Sequence, residues 1–331
     1  MEPIIKAEGI RKYFPVRKGI FGKDLTLRAV DGVSLEVAEN SVVGVVGESG
    51  SGKSTLARIM TALDRPTSGE VLFEGRSVFG LGRKEMLKFR RAVQIIFQDP
   101  FASLNPRTTV FETIAEPIRI HRLAARRDIE DKVAGLLADV GLGPEILHRY
   151  PHEFSGGQRQ RICIARALAV SPRLVIADEP LSALDVSIQA QILNILSGLK
   201  NRDRLSFLFI SHDLRVVEYL SDVVAVMYLG KIVEKAEAGR LFENPLHPYT
   251  AGLFAAAPSI RMNGRYLKEE GEGEKEAPKG DIPSPIDIPP GCPFHPRCPR
   301  RFSPCDRIAP ELAQPAGQPG RLVSCHLWNP Y

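Results

Sequence analysis

The sequence predicts an α/β fold, because short buried strands alternate with amphipathic helices along most of the chain. Two stretches, 110–148 and 188–199, carry apolar residues at helical spacing. The predicted buried strands are short apolar runs at 41–46, 93–97, 174–178, 205–210 and 223–228. Such runs are typical of strands that helices cover on both faces of a sheet.

Composition narrows the class of protein. The 331 residues suit one large domain with a smaller addition, or two domains. Apolar content of 44% and charged content of 25% are ordinary for a globular protein, and a net charge of +5 without a nucleic-acid motif does not indicate a nucleic-acid partner. The chain has no apolar run of membrane-spanning length and no signal-peptide core at its start, so we expect a cytosolic protein.

A second, smaller sheet is predicted near the amino terminus. Residues 3–10 and 29–38 alternate between apolar and polar side chains, and 70–75 form another short strand that ends in a turn. Alternation with a period of two is typical of strands with one buried face. We therefore expect a small antiparallel sheet beside the first buried strand, with a loop rich in Lys, Arg and Gly between its first two strands.

The segment from Gly47 to Thr55 has the spacing G-x-x-x-x-G-K-[ST] of a phosphate-binding P-loop, in the strand–loop–helix setting that this motif requires. Glycines let consecutive backbone N–H groups converge on one anion, and the helix N-terminus adds its positive dipole. Lys53 is expected to reach the β- and γ-phosphates, and Ser54 to bind Mg²⁺. The predicted ATP-binding residues of this loop are Gly47, Ser49, Gly50, Ser51, Gly52, Lys53, Ser54 and Thr55.

Polar side chains follow three of the predicted strands. Strand 174–178 leads into Asp178 and Glu179, the Walker B arrangement, in which Asp178 would support Mg²⁺ and Glu179 would polarise the attacking water. Gln98 follows another strand, and His212, which could bond a γ-phosphate or orient water, follows a third. Ligands of α/β proteins gather at the carboxyl ends of strands, so these positions favour a shared site.

A second turn, Ser155-Gly156-Gly157-Gln158, opens the helical segment at 159–168. Its backbone N–H groups could bind an anion, or Ser155 could simply cap the helix. One nucleotide needs only one P-loop, so an anion-binding turn here would serve a nucleotide held by another copy or a partner. The residues alone leave both interpretations open.

Two neighbouring aromatic residues, Tyr13 and Phe14, precede the P-loop. Either ring could stack on adenine, a contact that contributes about 1–3 kcal/mol, or could pack in the core. The spacing does not choose between these roles.

Four of the five cysteines, Cys292, Cys298, Cys305 and Cys325, lie in the last forty residues. In a cytosolic protein this cluster favours a metal over disulfides. A segment this short has little apolar core and needs a cross-link, such as a bound metal, to be stable. Zinc commonly uses a C-x-x-C pair, which is absent here, whereas a [4Fe–4S] cluster tolerates more variable spacing. His295 and His326 are alternative ligands.

These motifs together resemble the nucleotide-binding subunits of ABC transporters over about residues 3–255. The P-loop, Gln98, the turn that begins at Ser155, the Asp178-Glu179 pair, residues 182–185 and His212 occur in the order of that family, although Phe154 replaces the usual leucine before the turn. The resemblance implies a P-loop ATPase of the ABC type. Its parts would be a RecA-like core, an antiparallel β subdomain, a helical subdomain and a small Cys-rich C-terminal extension.

The resemblance also implies roles for the site residues. Two cassettes would bind ATP head to tail, so that Ser155, Gly156, Gly157 and Gln158 act in trans on the partner's nucleotide. Glu179 would be the general base, His212 the switch histidine and Lys53 the phosphate-binding cation.

Three further roles follow from the same resemblance. Phe14, rather than Tyr13, would stack on adenine. Ser54, Gln98 and Asp178 would hold Mg²⁺, and Gln98 would also sense the membrane subunit.

Segments 97–107, 247–250 and 292–299 resemble the ATPases of dipeptide and oligopeptide importers, and residues 14–16 and 28–34 are similar to their F-type ATPase. The resemblance implies a heterodimer with a second ABC ATPase, two integral membrane permease subunits and an extracytoplasmic peptide-binding protein. The chain would lie on the cytoplasmic face of the cell membrane as a peripheral subunit, without nucleic acid.

Two alternatives accompany this interpretation. Related importers carry nickel or oligosaccharides, and a soluble metal-sensing ABC ATPase is the alternative outside transport. In the peptide-importer family the four-Cys tail is associated with a [4Fe–4S] cluster, which we expect at Cys292, Cys298, Cys305 and Cys325, with Zn²⁺ as the other candidate.

The expected domain organisation has three parts. Residues 1–260 would form the ATPase domain, with a helical subdomain at about 100–160. A linker rich in charge, Gly and Pro would cover 261–290, and the Cys-rich metal- or cluster-binding region would cover 291–331.

Overall fold

The computed structural model describes residues 3–17, 24–182, 184–256 and 280–329. Its strands are β1 (Pro3–Arg17), β2 (Asp24–Ala38), β3 (Val42–Val46), β4 (Ser68–Phe73), β5 (Arg76–Ser77), β6 (Val93–Ile96), β7 (Leu174–Asp178), β8 (Ser206–Ile210), β9 (Val223–Tyr228), β10 (Lys231–Glu237) and β11 (Leu322–Val323). Its α-helices are α1 (Lys53–Met60), α2 (Arg83–Ala92), α3 (Pro100–Ser103), α4 (Val110–Ile120), α5 (Ile129–Asp139), α6 (Gly156–Leu168), α7 (Val186–Asp203), α8 (Leu214–Leu220), α9 (Ala238–Glu243) and α10 (Pro248–Ala256).

The main sheet has the strand order β11-β10-β9-β3-β8-β7-β6. The strands from β9 to β6 pair in parallel, whereas β10 and β11 continue the sheet in antiparallel pairs. Parallel pairing brings the carboxyl ends of β3, β6, β7 and β8 to one edge of the sheet. The P-loop and the polar residues after these strands therefore share that edge, and the predicted α/β fold is confirmed.

The smaller sheet has the strand order β2-β1-β4-β5 and is antiparallel throughout. Its first two strands are longer than the alternating pattern predicts. The stretch expected as a loop continues the pairing as far as Arg17 and Asp24. Register shifts lie between Ile10 and Arg11 and between Lys12 and Tyr13, where the extension begins, and they interrupt the alternation there.

Alternate residues of the buried strands enter two apolar clusters on opposite faces of the main sheet. Val43 and Val45 of β3 join the cluster that contains α1 and the smaller sheet. Val42 and Val46 join the cluster that contains α4, α5, α6 and α7. Burial on both faces explains the continuous apolar runs in the sequence.

The helical region between β6 and β7 consists of α3, α4, α5 and α6. The helical pattern predicted at 110–148 is confirmed in α4 and α5, and the intervening residues form short turns. Thr109 caps α4 by accepting a hydrogen bond from the backbone N–H of Glu112. These helices pack against the main sheet beyond Gln98.

The Cys-rich tail is docked on the main sheet. Strand β11 pairs with β10, and the backbone N–H of Ser324 donates to the carbonyl of Val233. The backbone N–H of Arg28 in β2 donates to the carbonyl of Pro285, so residues just before the cysteines also contact the small sheet. Residues 261–279 of the expected linker, and residues 330–331 of the tail, lie outside the described residues.

A buried ion pair fastens the tail to β10. Arg321 Nη2 lies 2.9 Å from Glu234 Oε1, and the side chains are 3% and 0% exposed. The backbone N–H groups of Leu246 and His247 donate to the two oxygens of the same carboxylate, at 2.8 and 3.0 Å. Glu234 thus joins the tail to the segment before α10.

Replacing Arg321 with methionine is expected to destabilise the protein by about 3–5 kcal/mol, because it leaves Glu234 buried without its charged partner. Urea unfolding checks the loss. Arg307→Met is the control, since Arg307 pairs with Asp306 at the surface, where both side chains are more than half exposed. Equal unfolding midpoints for the two variants would contradict the assignment of Glu234–Arg321 as the anchor.

Candidate nucleotide-binding site

The P-loop backbone requires glycine at two positions. Gly47 has a φ of 153° and Gly52 a φ of 102°. A Cβ atom would lie 2.2 Å from the carbonyl oxygen of Met227 at the first position, and 2.1 Å from that of Ala29 at the second. Both atoms belong to rigid strands, so the loop passes between β9 and β2 only because these residues lack a side chain.

Lys53 is the first residue of α1 and is 4% exposed. Its Nζ donates to the carbonyls of Gly47 and Glu48, at 2.8 and 3.0 Å. Burial lowers the pKa of Lys53, and the carboxylates of Glu179, Asp178 and Glu48 oppose that shift. The ammonium therefore lies inside the loop, where its hydrogen-bond partners are neutral carbonyls and a bound phosphate would supply a negatively charged partner.

Ser54 and Asp178, both predicted Mg²⁺ ligands, are in contact. The Ser54 hydroxyl donates to Asp178 Oδ1 at 2.9 Å. Burial raises the pKa of the Asp178 carboxyl, and the hydrogen bond from Ser54 opposes the shift. Hydroxyl and carboxylate oxygens are the ligands that Mg²⁺ prefers, so this pair fits a cation beside the P-loop.

Glu179 holds two of the other predicted site residues. Gln98 Nε2 donates to Glu179 Oε2 at 3.1 Å, and Nδ1 of His212 lies 3.1 Å from the same oxygen. Glu179 has a φ of +46°, a conformation that costs energy for a residue with a side chain. Strained backbone conformations are concentrated at functional sites. In this one the Glu179 carboxylate lies between Gln98 and His212.

The Ser155 turn is not joined to the P-loop. Ser155 and Gln158 are exposed and form a reciprocal capping box at the start of α6, in which the Ser155 hydroxyl accepts from the N–H of Gln158. Among the described residues, no hydrogen bond or ion pair links Ser155, Gly156, Gly157 or Gln158 to residues 47–55. The capping interpretation is thus observed, and the exposed side chains also remain accessible to a second molecule.

The segment after Glu179 leads from the acidic residues to α7. The Ser182 hydroxyl donates to the Glu179 carbonyl at 3.1 Å, and Asp185 caps α7 by accepting from the N–H of Ile188. Ala183, within the motif at 182–185, lies outside the described residues.

The two aromatic candidates have different surroundings. The Tyr13 hydroxyl donates to Asp31 at 2.6 Å, so its polar end is occupied. Phe14 is 37% exposed, and Lys12 Nζ lies 5.0 Å from its ring centroid. An accessible ring suits base stacking better than a bonded phenol.

The four tail cysteines, with His295 and His326, line one small pocket beside His247 and Phe294. None of the four cysteines forms a disulfide within the described residues, and burial raises the pKa of Cys292 to about 12 and that of Cys325 to about 11. Cys163 is separate from them, in the core on α6. In the part of the chain that the structure describes, no three or more His, Cys, Asp or Glu side chains are arranged to hold one metal ion.

Sequence reasoning missed the roles of three residues: Glu48, inside the P-loop, and Tyr249 and Arg297, which contact it. Glu48 occupies a variable position of the motif, so its type carried no signal. The Tyr249 hydroxyl accepts from the N–H of Glu48 at 2.9 Å, and Arg297 pairs with the Glu48 carboxylate. Only the folded chain brings these residues together, since Tyr249 and Arg297 lie far along the sequence.

Comparison with family models gives two matches. Residues 30–182 match the model described as ABC transporter. Residues 233–305 match the one described as oligopeptide/dipeptide transporter, C-terminal region. The second match includes the first three tail cysteines and Arg297.

Individual proteins are similar over nearly the whole chain. The oligopeptide transport ATP-binding protein AppF of Bacillus subtilis is 48% identical, covering 99% of this chain and 98% of its own length. The dipeptide transport ATP-binding protein DppF of Escherichia coli is 44% identical, covering 98% of this chain and 94% of its own length. Among solved structures, the dimeric ATP-binding cassette MJ0796 bound to ADP and Pi is 28% identical, with a TM-score of 0.62, and covers 71% of this chain and 98% of its own length.

Proposed function

Because this chain belongs to the ATP-binding subunits of ABC transporters, we propose that the ATP it hydrolyses powers the import of di- and oligopeptides across the cell membrane. One observation carries the choice of cargo: the match to the oligopeptide/dipeptide transporter C-terminal region, which this chain has in addition to the ATPase match. Nickel and oligosaccharides are the alternative cargoes.

The proposed chemistry is in-line attack of water on the γ-phosphate, which breaks the bond from the γ-phosphorus to the bridging oxygen and releases ADP and phosphate. Lys53 and the backbone N–H groups of the P-loop would bind the phosphates, and Ser54, Asp178 and Gln98 would hold Mg²⁺. An ion held by these residues would supply positive charge to the phosphate oxygens. Glu179 accepts the proton of the attacking water, and His212, hydrogen-bonded to Glu179, orients that carboxylate.

A second cassette completes the proposed site. Ser155, Gly156, Gly157 and Gln158 would bind the γ-phosphate held by the partner's P-loop, with their helix N-terminus facing the anion. The exposure of Ser155 and Gln158, away from this chain's own P-loop, supports that role. Phe14 would stack on the adenine. We propose a heterodimer with a homologous ATPase.

The remaining partners follow from importer architecture. We propose two membrane permease subunits and an extracytoplasmic peptide-binding protein, with this chain on the cytoplasmic face of the membrane. None of the described helices is both long enough and apolar enough to cross a membrane. The helical subdomain at about 100–160, within an ATPase domain of residues 1–260, would transmit closure of the cassettes to the permeases.

For the tail at 291–331, which would follow a linker at 261–290, we propose that Cys292, Cys298, Cys305 and Cys325 hold a [4Fe–4S] cluster. The support is the donor set, four thiols around one pocket. Zn²⁺, which binds the same ligand type, is the alternative, but a single ion would require the side chains to move, because no three of the described ones are arranged to hold one ion. A soluble metal-sensing ATPase would use the same tail without a permease.

Anaerobically purified protein is expected to be brown and to hold about four iron atoms per chain. Replacing Cys298 with serine should remove most of that iron, because a ligand is lost, whereas Cys163→Ala in the core should retain it. Iron analysis and visible absorbance make the measurement. A colourless protein with one zinc would favour the alternative, and a metal-free protein would contradict both.

Affinity purification from detergent-solubilised native membranes tests the transport proposal, with partners identified by mass. We expect two permeases, a second ATPase and a binding protein. The recovered binding protein is then screened with peptides, nickel and sugars. Recovery of soluble partners alone, such as ribosomes or repair factors, would contradict transport while leaving the ATPase site intact.

A further inference from the structure

An ion pair joins the Cys-rich tail to the P-loop. Arg297 Nη1 lies 2.8 Å from Glu48 Oε2, and Arg297 Nη2 lies 3.0 Å from Glu48 Oε1. The Arg297 side chain is 8% exposed and that of Glu48 is 25% exposed. A bidentate pair that is largely removed from water fixes both distance and orientation.

Aromatic rings hold Arg297 in place. Its guanidinium carbon lies 5.9 Å from the ring centroids of both Tyr228 and Phe294. Phe294 in turn packs on Tyr249, with ring centroids 5.5 Å apart. The arginine therefore reaches the P-loop from a packed cluster of tail and core residues.

Glu48 is held at its side chain and at both ends of its backbone. Its N–H donates to the Tyr249 hydroxyl, and its carbonyl accepts from Lys53 Nζ. Arg297 holds the carboxylate. A displacement of Glu48 would thus move a carbonyl that positions the phosphate-binding lysine.

The charge of Glu48 gives Arg297 a second effect. A carboxylate one residue after Gly47 lies beside the loop that must bind a triphosphate, and two negative groups at close range repel each other. The arginine neutralises that carboxylate. Without Arg297 the loop would carry an uncompensated negative charge next to its ligand.

We propose that Arg297 is a positioning residue for the P-loop: it holds the Glu48 carboxylate in an ion pair and neutralises its charge beside the phosphate site, so nucleotide affinity depends on the docked tail. The proposal rests on the proposed function, in that residues 47–55 bind ATP. It gives the tail a direct role at the nucleotide site.

The test is equilibrium binding of a fluorescent ATP analogue to the purified full-length chain, with ATPase kcat and KM measured alongside. Arg297→Gln is expected to weaken binding about tenfold, because it frees the Glu48 carboxylate. Adding Glu48→Gln should restore affinity to within about threefold of wild type, because the repelling charge is then gone. Arg297→Lys keeps the positive charge but cannot pair bidentately with the carboxylate, so its nucleotide affinity should lie between those of Arg297→Gln and wild type.

Controls separate this contact from other causes. Arg83→Gln removes a positive charge from the exposed start of α2 and should leave affinity unchanged. Wild-type affinity in a folded Arg297→Gln variant would overturn the proposal. So would a double variant as weak as Arg297→Gln, since a purely structural loss is not reversed by removing Glu48.

If Arg297→Gln does not fold, the nucleotide affinities of the double variant and of Arg297→Lys are compared with that of wild type. The proposal then predicts an affinity within about threefold of wild type for the double variant and a weaker one for Arg297→Lys, and the reverse order would overturn it. Lys53→Ala is measured in parallel: if it binds the analogue as tightly as wild type, the assignment of the P-loop itself is wrong, whatever Arg297 does.

Discussion

Replacing Glu179 with glutamine is expected to lower ATP hydrolysis at this chain's site by about 100- to 10,000-fold, while ATP affinity stays near the wild-type value. Glutamine has the same shape and can still contact Gln98 and His212, but it cannot accept the proton of the attacking water. The closed, ATP-bound pair of cassettes should therefore accumulate.

Phosphate release by the purified assembly measures this effect. The partner cassette contributes its own turnover, and the Lys53→Ala assembly, which should bind no ATP at this site, gives that background. Glu130→Gln, at an exposed position of α5, is the matched control. Turnover in the Glu179→Gln assembly at the wild-type level, clearly above the Lys53→Ala background, would rule out Glu179 as the base.

Lys53→Ala is expected to weaken ATP binding at this site by at least about 100-fold and to abolish its turnover, because charge-assisted contacts to phosphate are lost. The loop also loses the hydrogen bonds from Nζ to the carbonyls of Gly47 and Glu48. Both effects act on the same step, the binding of the phosphates.

Equilibrium binding of a fluorescent ATP analogue measures the loss. Lys88→Ala removes a lysine from the exposed face of α2 and should bind as wild type does. A Lys53→Ala variant that keeps wild-type affinity would show that the phosphates bind elsewhere.

The sequence was most informative where burial or chemistry constrains residue type. The apolar runs predicted strands β7 and β9 with their observed bounds, since strands buried on both faces tolerate few polar residues. The P-loop and the Asp178-Glu179 pair stood out because phosphate and Mg²⁺ demand particular groups at fixed spacing. The contacts among Ser54, Asp178, Gln98, Glu179 and His212 follow from parallel pairing.

Three features of the structure could not be predicted from local sequence patterns. The extension of β1 to Arg17 contains register irregularities, which hide its alternation. Strand β11 is only two residues long and gains its pairing from β10. Glu48 and Arg297 lie 249 residues apart, so no local spacing could indicate their ion pair.

Uptake of a labelled tripeptide into vesicles containing the purified assembly and its binding protein tests the central claim most directly. The account predicts accumulation that requires ATP on the side of this chain and disappears in the Glu179→Gln assembly. Intact ATP hydrolysis without peptide uptake, together with accumulation of nickel or an oligosaccharide, would contradict peptide import.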